Sequence, residues 1–230
     1  GYYKDMYNVL EYKEGVSFFG SSSGWENKVE MGKGRSAGIE FMAQKTAGKT
    51  TGWLSYTLSK SDRKFTKGGI NNGEWFPYKY DRRHSINLTI NHKFSDRIDI
   101  GASWVFYTGG TSTIPEEKTT VIRPHNGANN GFLWYGTYDN TNSSPTIGDV
   151  SYIEHRNNFR LPASHRLNLG VNFNKKTKHG MRTWNISLYN AYNAMNPAWV
   201  YRGHNKQGLS VIKKYTLLPL IPSFTYTYKF

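Results

Sequence analysis

The sequence predicts an all-β protein whose antiparallel strands form a transmembrane β-barrel, and three observations lead to this class. Apolar and polar residues alternate with a period of two in one segment after another, short and long connections alternate, and the chain ends on an aromatic strand. No run of about 18 apolar residues, which a helical span requires, is present. The mean hydropathy of -0.68 leaves a barrel open, because barrel strands show alternation alone.

The terminal segment 223–230 gives the clearest alternation. Small polar residues and a lysine lie on one side of it, and four aromatic residues lie on the other: Phe224, Tyr226, Tyr228 and Phe230. In an outer-membrane barrel this pattern places aromatic groups toward lipid and polar groups toward the lumen. The segment also resembles the C-terminal signal of bacterial outer-membrane proteins, which the barrel-assembly machinery reads.

The other strands follow from the same period. A weaker candidate lies within 2–19, and alternation then predicts strands over 37–43, 54–58, 86–94, 98–106, 167–173 and 184–188 before the terminal strand. In each, Leu, Ile, Phe or Trp on one side oppose Ser, Thr, Asn or Gly on the other. We therefore expect about seven to eight strands, and helical periodicity is nowhere sustained.

Connection lengths indicate the architecture. Tight turns rich in Gly, Lys and Asp are expected at 46–49, 95–97 and 175–180, with long links at 20–34, 63–80, 115–161 and 199–214. Compact water-soluble domains rarely contain structureless loops beyond about 12–15 residues, whereas outer-membrane barrels combine short periplasmic turns with long extracellular loops. The long links are therefore expected outside the cell, and Phe230 in the periplasm.

Composition excludes several classes of protein. The chain has no cysteine, so we expect neither disulfides nor a thiolate metal site. Its formal charge of +14 comes from Lys and Arg scattered through strands and loops. That scatter favours contact with lipopolysaccharide phosphates over a nucleic-acid stripe. The first residues carry no charged n-region and apolar h-region, so no signal peptide is expected within the chain.

Several short runs carry a family likeness. They are SFFGS at 17–21, KGRSAGIE at 33–40, WFP at 75–77, YDRRH at 80–84 and LYNAYNAMNP at 188–197. In this order, and followed by the aromatic terminal strand, they resemble the TonB-dependent outer-membrane receptors of Bacteroidetes, SusC-like proteins included. The likeness extends over nearly the whole chain but over only the last third or so of the family's usual length.

The resemblance implies a 22-stranded barrel of which residues 1–230 form the C-terminal portion. The plug domain and the earlier strands would lie outside this chain, and TonB would energise transport through the absent N-terminal part. The implied function is uptake of a large nutrient, with glycan, peptide and metal chelate all open. The implied partners are the rest of the barrel and the plug, the barrel-assembly machinery and a surface lipoprotein cap.

Aromatic residues in the predicted extracellular links are candidate ligand contacts, because exposed rings stack on sugars or anchor a partner such as the lipoprotein cap. The alternative is that they pack the loops against one another. The candidates are Trp75, Phe76, Trp134, Tyr135, Tyr138, Trp199 and Tyr201.

Other motifs carry no catalytic or metal assignment. The run 43–50 approaches a phosphate-loop pattern, but Ala43 replaces its first glycine and the run bridges two strands. Asp81, Arg83 and His84 could form an acid-base group, but strand geometry scatters them over two faces. The spacing of the three loop histidines matches no metal motif; these are His125, His155 and His165. We expect no enzyme activity, metal or cofactor.

Two alternatives to uptake remain. One is a secreted β-sandwich lectin or adhesin that uses the same aromatic residues for glycans. The other is a self-contained eight-strand outer-membrane barrel, which requires the segment 2–19 to close on the last strand.

Overall fold

The computed structural model describes residues 1–13, 24–66, 69–115, 117–123 and 146–230, and its regular structure is almost entirely β. Two short 3-10 helices, Trp25–Lys28 and Ile70–Gly73, lie in the connections. None of the helices in the described ranges is long and apolar enough to span a bilayer.

Fifteen strands lie in the described ranges. They are β1 (Tyr2–Tyr12), β2 (Val29–Lys45), β3 (Thr50–Lys64), β4 (Phe76–Pro77), β5 (His84–Lys93), β6 (Ile98–Tyr107), β7 (Thr111–Ser112), β8 (Glu117–Arg123), β9 (Thr146–Tyr152), β10 (Phe159–Arg160), β11 (Ser164–Thr177), β12 (Gly180–Tyr189), β13 (Pro197–His204), β14 (Ser210–Thr216) and β15 (Ile221–Lys229).

One antiparallel sheet contains most of these strands. Its order is β1-β2-β3-β5-β6-β11-β12-β15, and β4 pairs with the end of β3. Separate two-stranded pieces are formed by β7 with β10, β8 with β9, and β13 with β14. Among the described strands, β1 pairs only with β2 and β15 only with β12, so these two strands are the edges of the sheet.

The two ends of the sheet differ in their connections. The tight turns at 46–49, 94–97 and 178–179 all lie at one end, here named the turn end. The connections that follow β1, β3, β6 and β12 are long and lie at the other end, here named the loop end. The strands are long, with 17 residues in β2 and 15 in β3.

The all-β, antiparallel prediction is confirmed, and each strand expected from alternation is present, most of them with wider bounds. The strands β5 and β15 each end one residue earlier than predicted, and β1 covers residues 2–12 of the weaker candidate within 2–19, whose residues 14–19 lie outside the described residues. The expected turn over 175–180 is shorter, because β11 continues to Thr177 and β12 begins at Gly180. A Cβ at Gly180 would lie 2.0 Å from the carbonyl oxygen of Lys229, so this close strand approach requires glycine. The long links also contain strands that alternation did not predict, notably β13 and β14. The pairing of β1 with β15 that a self-contained eight-strand barrel requires is not present among the described strands.

The sheet has an apolar face, formed by the alternating Leu, Ile, Phe and Trp side chains. Strand register joins these residues into continuous rows across the sheet. One row runs through Phe41, Tyr56, Ile86 and Phe106, and the next through Ala43, Leu54, Leu88, Trp104 and Leu167. Many of these side chains remain exposed, including Phe41 at 58% and Phe224 at 66%. No described element packs over this face.

The opposite, polar face is organised by hydrogen bonds between side chains on neighbouring strands. Asp99 on β6 accepts hydrogen bonds from the amides of Asn172 (2.7 Å) and Asn174 (2.6 Å) on β11. The same two asparagines accept from Asn185 and Thr183 on β12, each at 2.7 Å. This ladder satisfies polar groups along β6, β11 and β12 without any covering layer.

The largest buried apolar cluster of the described residues lies at the loop end and not beneath the sheet. Phe65, Ile70 and Phe76 are almost fully buried there, and the partly buried Val9 packs against them. A cluster of this size holds the base of one loop. It does not cover the apolar face, and no other element of the described residues supplies the packed layer of a globular domain there.

Candidate functional site: the loop end of the sheet

Asp81 organises the loop end. Its side chain is 1% exposed and accepts hydrogen bonds from the Ser61 backbone N–H (2.7 Å) and from Nη2 of Arg160 (2.5 Å). Arg83 lies 3.8 Å from the same carboxylate. Arg160 also donates to the carbonyl oxygens of Asp81 and Gly109. A buried carboxylate requires such partners, because desolvating it without them would be costly.

The segment just before β11 anchors the long connection to the rest of the loop end. The guanidinium of Arg156 contacts Glu11 at 3.1 Å and the carbonyl oxygen of Tyr12 at 3.3 Å, and its backbone N–H donates to Asn71. Asn157 donates to the carbonyl oxygen of Pro77 at 2.7 Å. This segment therefore connects β1, the Ile70–Gly73 helix and β4, which are far apart in sequence.

Arginine and tyrosine side chains pair at the loop end of the polar face. The Cζ atom of Arg82 lies 3.9 Å from the ring centroid of Tyr107, and that of Arg166 lies 4.3 Å from the ring centroid of Tyr189. Arg166 also donates a short hydrogen bond to the Tyr189 hydroxyl. Each cation–π contact holds one guanidinium group over a tyrosine ring at the loop end of the polar face.

The first two predicted ligand contacts differ in exposure. Trp75 is partly exposed, and its ring lies under the Arg35 guanidinium at 4.2 Å. Phe76 is 2% exposed and packs against Phe65 and Ile70, so its side chain belongs to the buried cluster and is not available on the surface. Phe76 therefore agrees with the alternative in which the aromatic residues of the links pack the loops against one another.

Trp199 and Tyr201 lie on the hairpin of β13 and β14 with their side chains about half exposed. Trp199 stacks on Tyr215 at 4.3 Å with an interplanar angle of 7°. Arg202, on the alternate side of β13, donates to the carbonyl oxygen of Pro115 at 3.3 Å. A cleft of about 430 Å³ lies on that side, lined by Ile114, Pro115, Asn158, Phe159, Arg202, Ser210, Val211 and Ile212. The remaining predicted contacts, Trp134, Tyr135 and Tyr138, lie outside the described residues.

The terminal aromatic residues lie on the edge strand β15 or directly after it, and all are exposed: Phe224, Tyr226, Tyr228 and Phe230. Trp184 of β12 packs against two of them: it stacks on Phe224 with ring centroids 5.1 Å apart, and it makes a tilted contact with Tyr226 at 4.5 Å. This aromatic group continues the apolar face to the edge of the sheet.

The other sequence candidates do not converge. His84 hydrogen-bonds the Tyr56 hydroxyl at 2.9 Å, whereas Asp81 binds Arg160, so the two do not form an acid-base pair. His165 contacts the Tyr192 hydroxyl at 2.8 Å, His155 lies 4.0 Å from Glu154, and His125 lies outside the described residues. The described part of the chain holds no group of three or more potential metal-ligating His, Asp or Glu side chains.

An exposed ion pair joins the last residue of β5 to the turn that follows it. Nζ of Lys93 lies 2.7 Å from Oδ1 of Asp96. The hydrogen bond and positive charge of Lys93 hold the pKa of the Asp96 carboxyl below its ordinary value. The pair is therefore intact above the ordinary carboxyl pKa and is lost as the pH falls through the lowered one.

Sequence reasoning missed the role of Arg156 and Arg160, which lie inside the predicted long link. The only local signal is the polar run EHRNNFR at 154–160, in which two arginines flank two asparagines. Comparisons with protein families, with curated proteins and with solved structures give no match to this chain.

Proposed function

We propose that this chain forms part of the wall and extracellular mouth of a TonB-dependent outer-membrane receptor that takes up a large nutrient. The observation that carries this proposal is the uncovered apolar face of an eight-strand antiparallel path, opposite a polar face with its own hydrogen-bond ladder. In an outer-membrane barrel these two faces meet lipid and the lumen.

The energetics favour a hydrocarbon environment for the apolar face. Leaving a large apolar side chain in water forgoes about 1.5–3 kcal/mol relative to burial. The face carries such residues on successive strands, including Ile39, Phe41, Ile186 and Phe224, all more than a third exposed. Exposed large apolar residues in neighbouring rows of one sheet face are unusual on a monomeric water-soluble protein.

The open edges favour a larger barrel. In the lipid core each unpaired backbone group costs several kcal/mol, so β1 and β15 need further strands beside them. The remainder of the receptor barrel would supply those strands, and the family likeness suggests 22 in all. The plug, TonB and a lipoprotein cap are partners of the same proposal, and Phe230 with its aromatic neighbours would serve the assembly machinery.

Orientation follows from the two ends of the sheet. Short turns at one end and long connections at the other match periplasmic turns and extracellular loops. The loop end, with Asp81, Arg160 and the hairpin of β13 and β14, would then form the mouth that first meets a nutrient. Trp75, Trp199 and Tyr201 are the proposed exposed ligand contacts there.

A β-sandwich glycan-binding module is less well supported, because such a fold buries its apolar sheet face against a second sheet. The described two-stranded pieces do not cover that face.

The test uses the full-length receptor in its native host. The proposal predicts recovery of the protein in the outer-membrane fraction with heat-modifiable electrophoretic mobility. It also predicts that deletion abolishes uptake of one nutrient class, and that a protonophore abolishes the same uptake in the intact strain. Recovery of the full-length protein in the aqueous fraction, folded without detergent, would refute the proposal.

A further inference from the structure

Two arginine–tyrosine pairs lie at the loop end of the polar face. Together they form what we name the arginine–tyrosine patch, which consists of Arg82, Tyr107, Arg166 and Tyr189. Tyr107 ends β6 and pairs with Ser85 of β5 and Ser164 of β11. Arg166 lies two residues further along β11, opposite Val105. Diagonal neighbours of this kind lie about 7–8 Å apart, within reach of long side chains, so the two arginine–tyrosine pairs belong to one surface.

Among the described residues, no carboxylate compensates the positive charge of the patch. No described Asp or Glu lies within ion-pair distance of Arg82 or Arg166. The buried Asp81 is occupied by Arg160. On β6 the nearest polar-face carboxylate is Asp99, eight residues from Tyr107 and therefore about 26 Å away at 3.3 Å per residue.

The carboxylate of Asp99 is also already used. Its two oxygens accept from Asn172 and Asn174 at the turn end. The polar-face positions between the two ends are Ser, Thr, Asn, Gly and Val on β5, β6 and β11. The charges of the patch are therefore unneutralised by neighbours on its own sheet.

Stacking on tyrosine restrains each guanidinium through its face and leaves in-plane N–H groups for other acceptors. Arg166 uses one nitrogen for the Tyr189 hydroxyl. Its Nε is buried and has no hydrogen-bond acceptor among the described residues. A buried nitrogen is out of reach of a ligand, so the donors that Arg166 offers to an anion are the remaining N–H groups of its two Nη atoms.

We propose that the arginine–tyrosine patch binds an oxyanion group, a carboxylate, phosphate or sulfate, on a ligand with at least two negative charges. Guanidinium groups recognise such groups through paired N–H donors. Two restrained guanidiniums on one surface select a multiply charged ligand over a singly charged one. As a substrate site, the patch rests on the proposed uptake function; as a binding site, it rests only on the geometry of the sheet.

The test measures binding of citrate and of inorganic pyrophosphate to the full-length protein by isothermal titration calorimetry, with sorbitol as the uncharged probe. The variants are Arg82→Gln, Arg166→Gln and the double variant. The matched control is Lys176→Gln, which removes a positive charge from the polar face of the same strand β11 at the turn end.

The expected result is saturable binding of one or both anions, weakened about tenfold or more by each arginine variant and unchanged by the control. Binding should also weaken with added salt. Equal affinities in all variants, or no saturable anion binding by the folded wild-type protein, would overturn the patch. Anion binding to a protein found in the aqueous fraction would overturn the uptake proposal and leave the patch intact. A membrane-embedded protein that binds no anion would overturn the patch and leave the uptake proposal intact.

Discussion

Replacing Asp81 by alanine tests whether the loop end is held by this one buried carboxylate. The change removes the acceptor for Ser61 N–H and for Arg160 while the surrounding groups stay in place. Breaking a buried ion pair by removing one partner costs about 3–5 kcal/mol. The shift in melting temperature per kcal/mol decreases with the size of the cooperative unit, so for the whole barrel we expect a fall of about 2–4 °C.

Asp81→Asn keeps an oxygen for the Ser61 N–H but loses the charge, so we expect a smaller loss of about 1.5–3 kcal/mol. Asp96→Ala is the matched control, because it removes an exposed carboxylate from a lysine pair, and it should leave the melting temperature almost unchanged. The assay is loss of tryptophan fluorescence and of the heat-modifiable band on warming in one detergent. Equal melting temperatures for Asp81→Ala and Asp96→Ala would refute the reasoning.

A double-mutant cycle with Arg160→Met separates the ion pair from the backbone contact. If the 2.5 Å contact between Arg160 and Asp81 carries the stability, the two changes should be strongly non-additive. Additive effects would show that the Ser61 contact alone accounts for the loss.

Two further predictions concern the strands. A Cβ at Gly52 would lie 2.1 Å from the carbonyl oxygen of Thr89, so Gly52→Ala should separate β3 from β5 and cost about 1–3 kcal/mol in urea unfolding. Gly170→Ala, whose nearest contact would be 3.5 Å, should be neutral or slightly stabilising; equal losses would contradict the argument. Both carboxylate oxygens of Glu30 are buried and have no hydrogen-bond partner among the described residues, so Glu30→Met should stabilise the protein by about 1–3 kcal/mol. The control is Glu40→Met, which replaces an exposed glutamate on the same strand. A loss of stability in Glu30→Met would contradict the prediction and show that the Glu30 carboxylate stabilises the protein.

The strands could be predicted because their signal is local. Within β11, for example, Leu169 and Val171 alternate with Asn168 and Gly170, and the alternation alone identifies both the strand and its two faces. The turn between β5 and β6 could be predicted in the same way, from a short polar break between two alternating runs.

The loop end could not be predicted, because its contacts join residues distant in sequence. Asp81 and Arg160 are 79 residues apart, and nothing local to either indicates the pair. Phe76 was expected on the surface beside Trp75, since both are aromatic residues in one loop. Its burial depends on how the link folds back on itself to bring Phe65 and Ile70 against Phe76, and on Val9, which is 67 residues away; alternation shows neither.

The central claim is that the apolar face meets hydrocarbon and the polar face meets water. The chain has no cysteine, so single-cysteine variants along β11 can each carry one nitroxide label. The labelled positions are Leu167, Asn168, Leu169, Gly170, Val171 and Asn172. In lipid vesicles, oxygen accessibility should peak at the Leu and Val positions, and accessibility to a water-soluble nickel chelate should peak at the positions between them. If the Leu and Val positions are inaccessible to both reagents, the face is sealed in a dry protein interior and the account is contradicted.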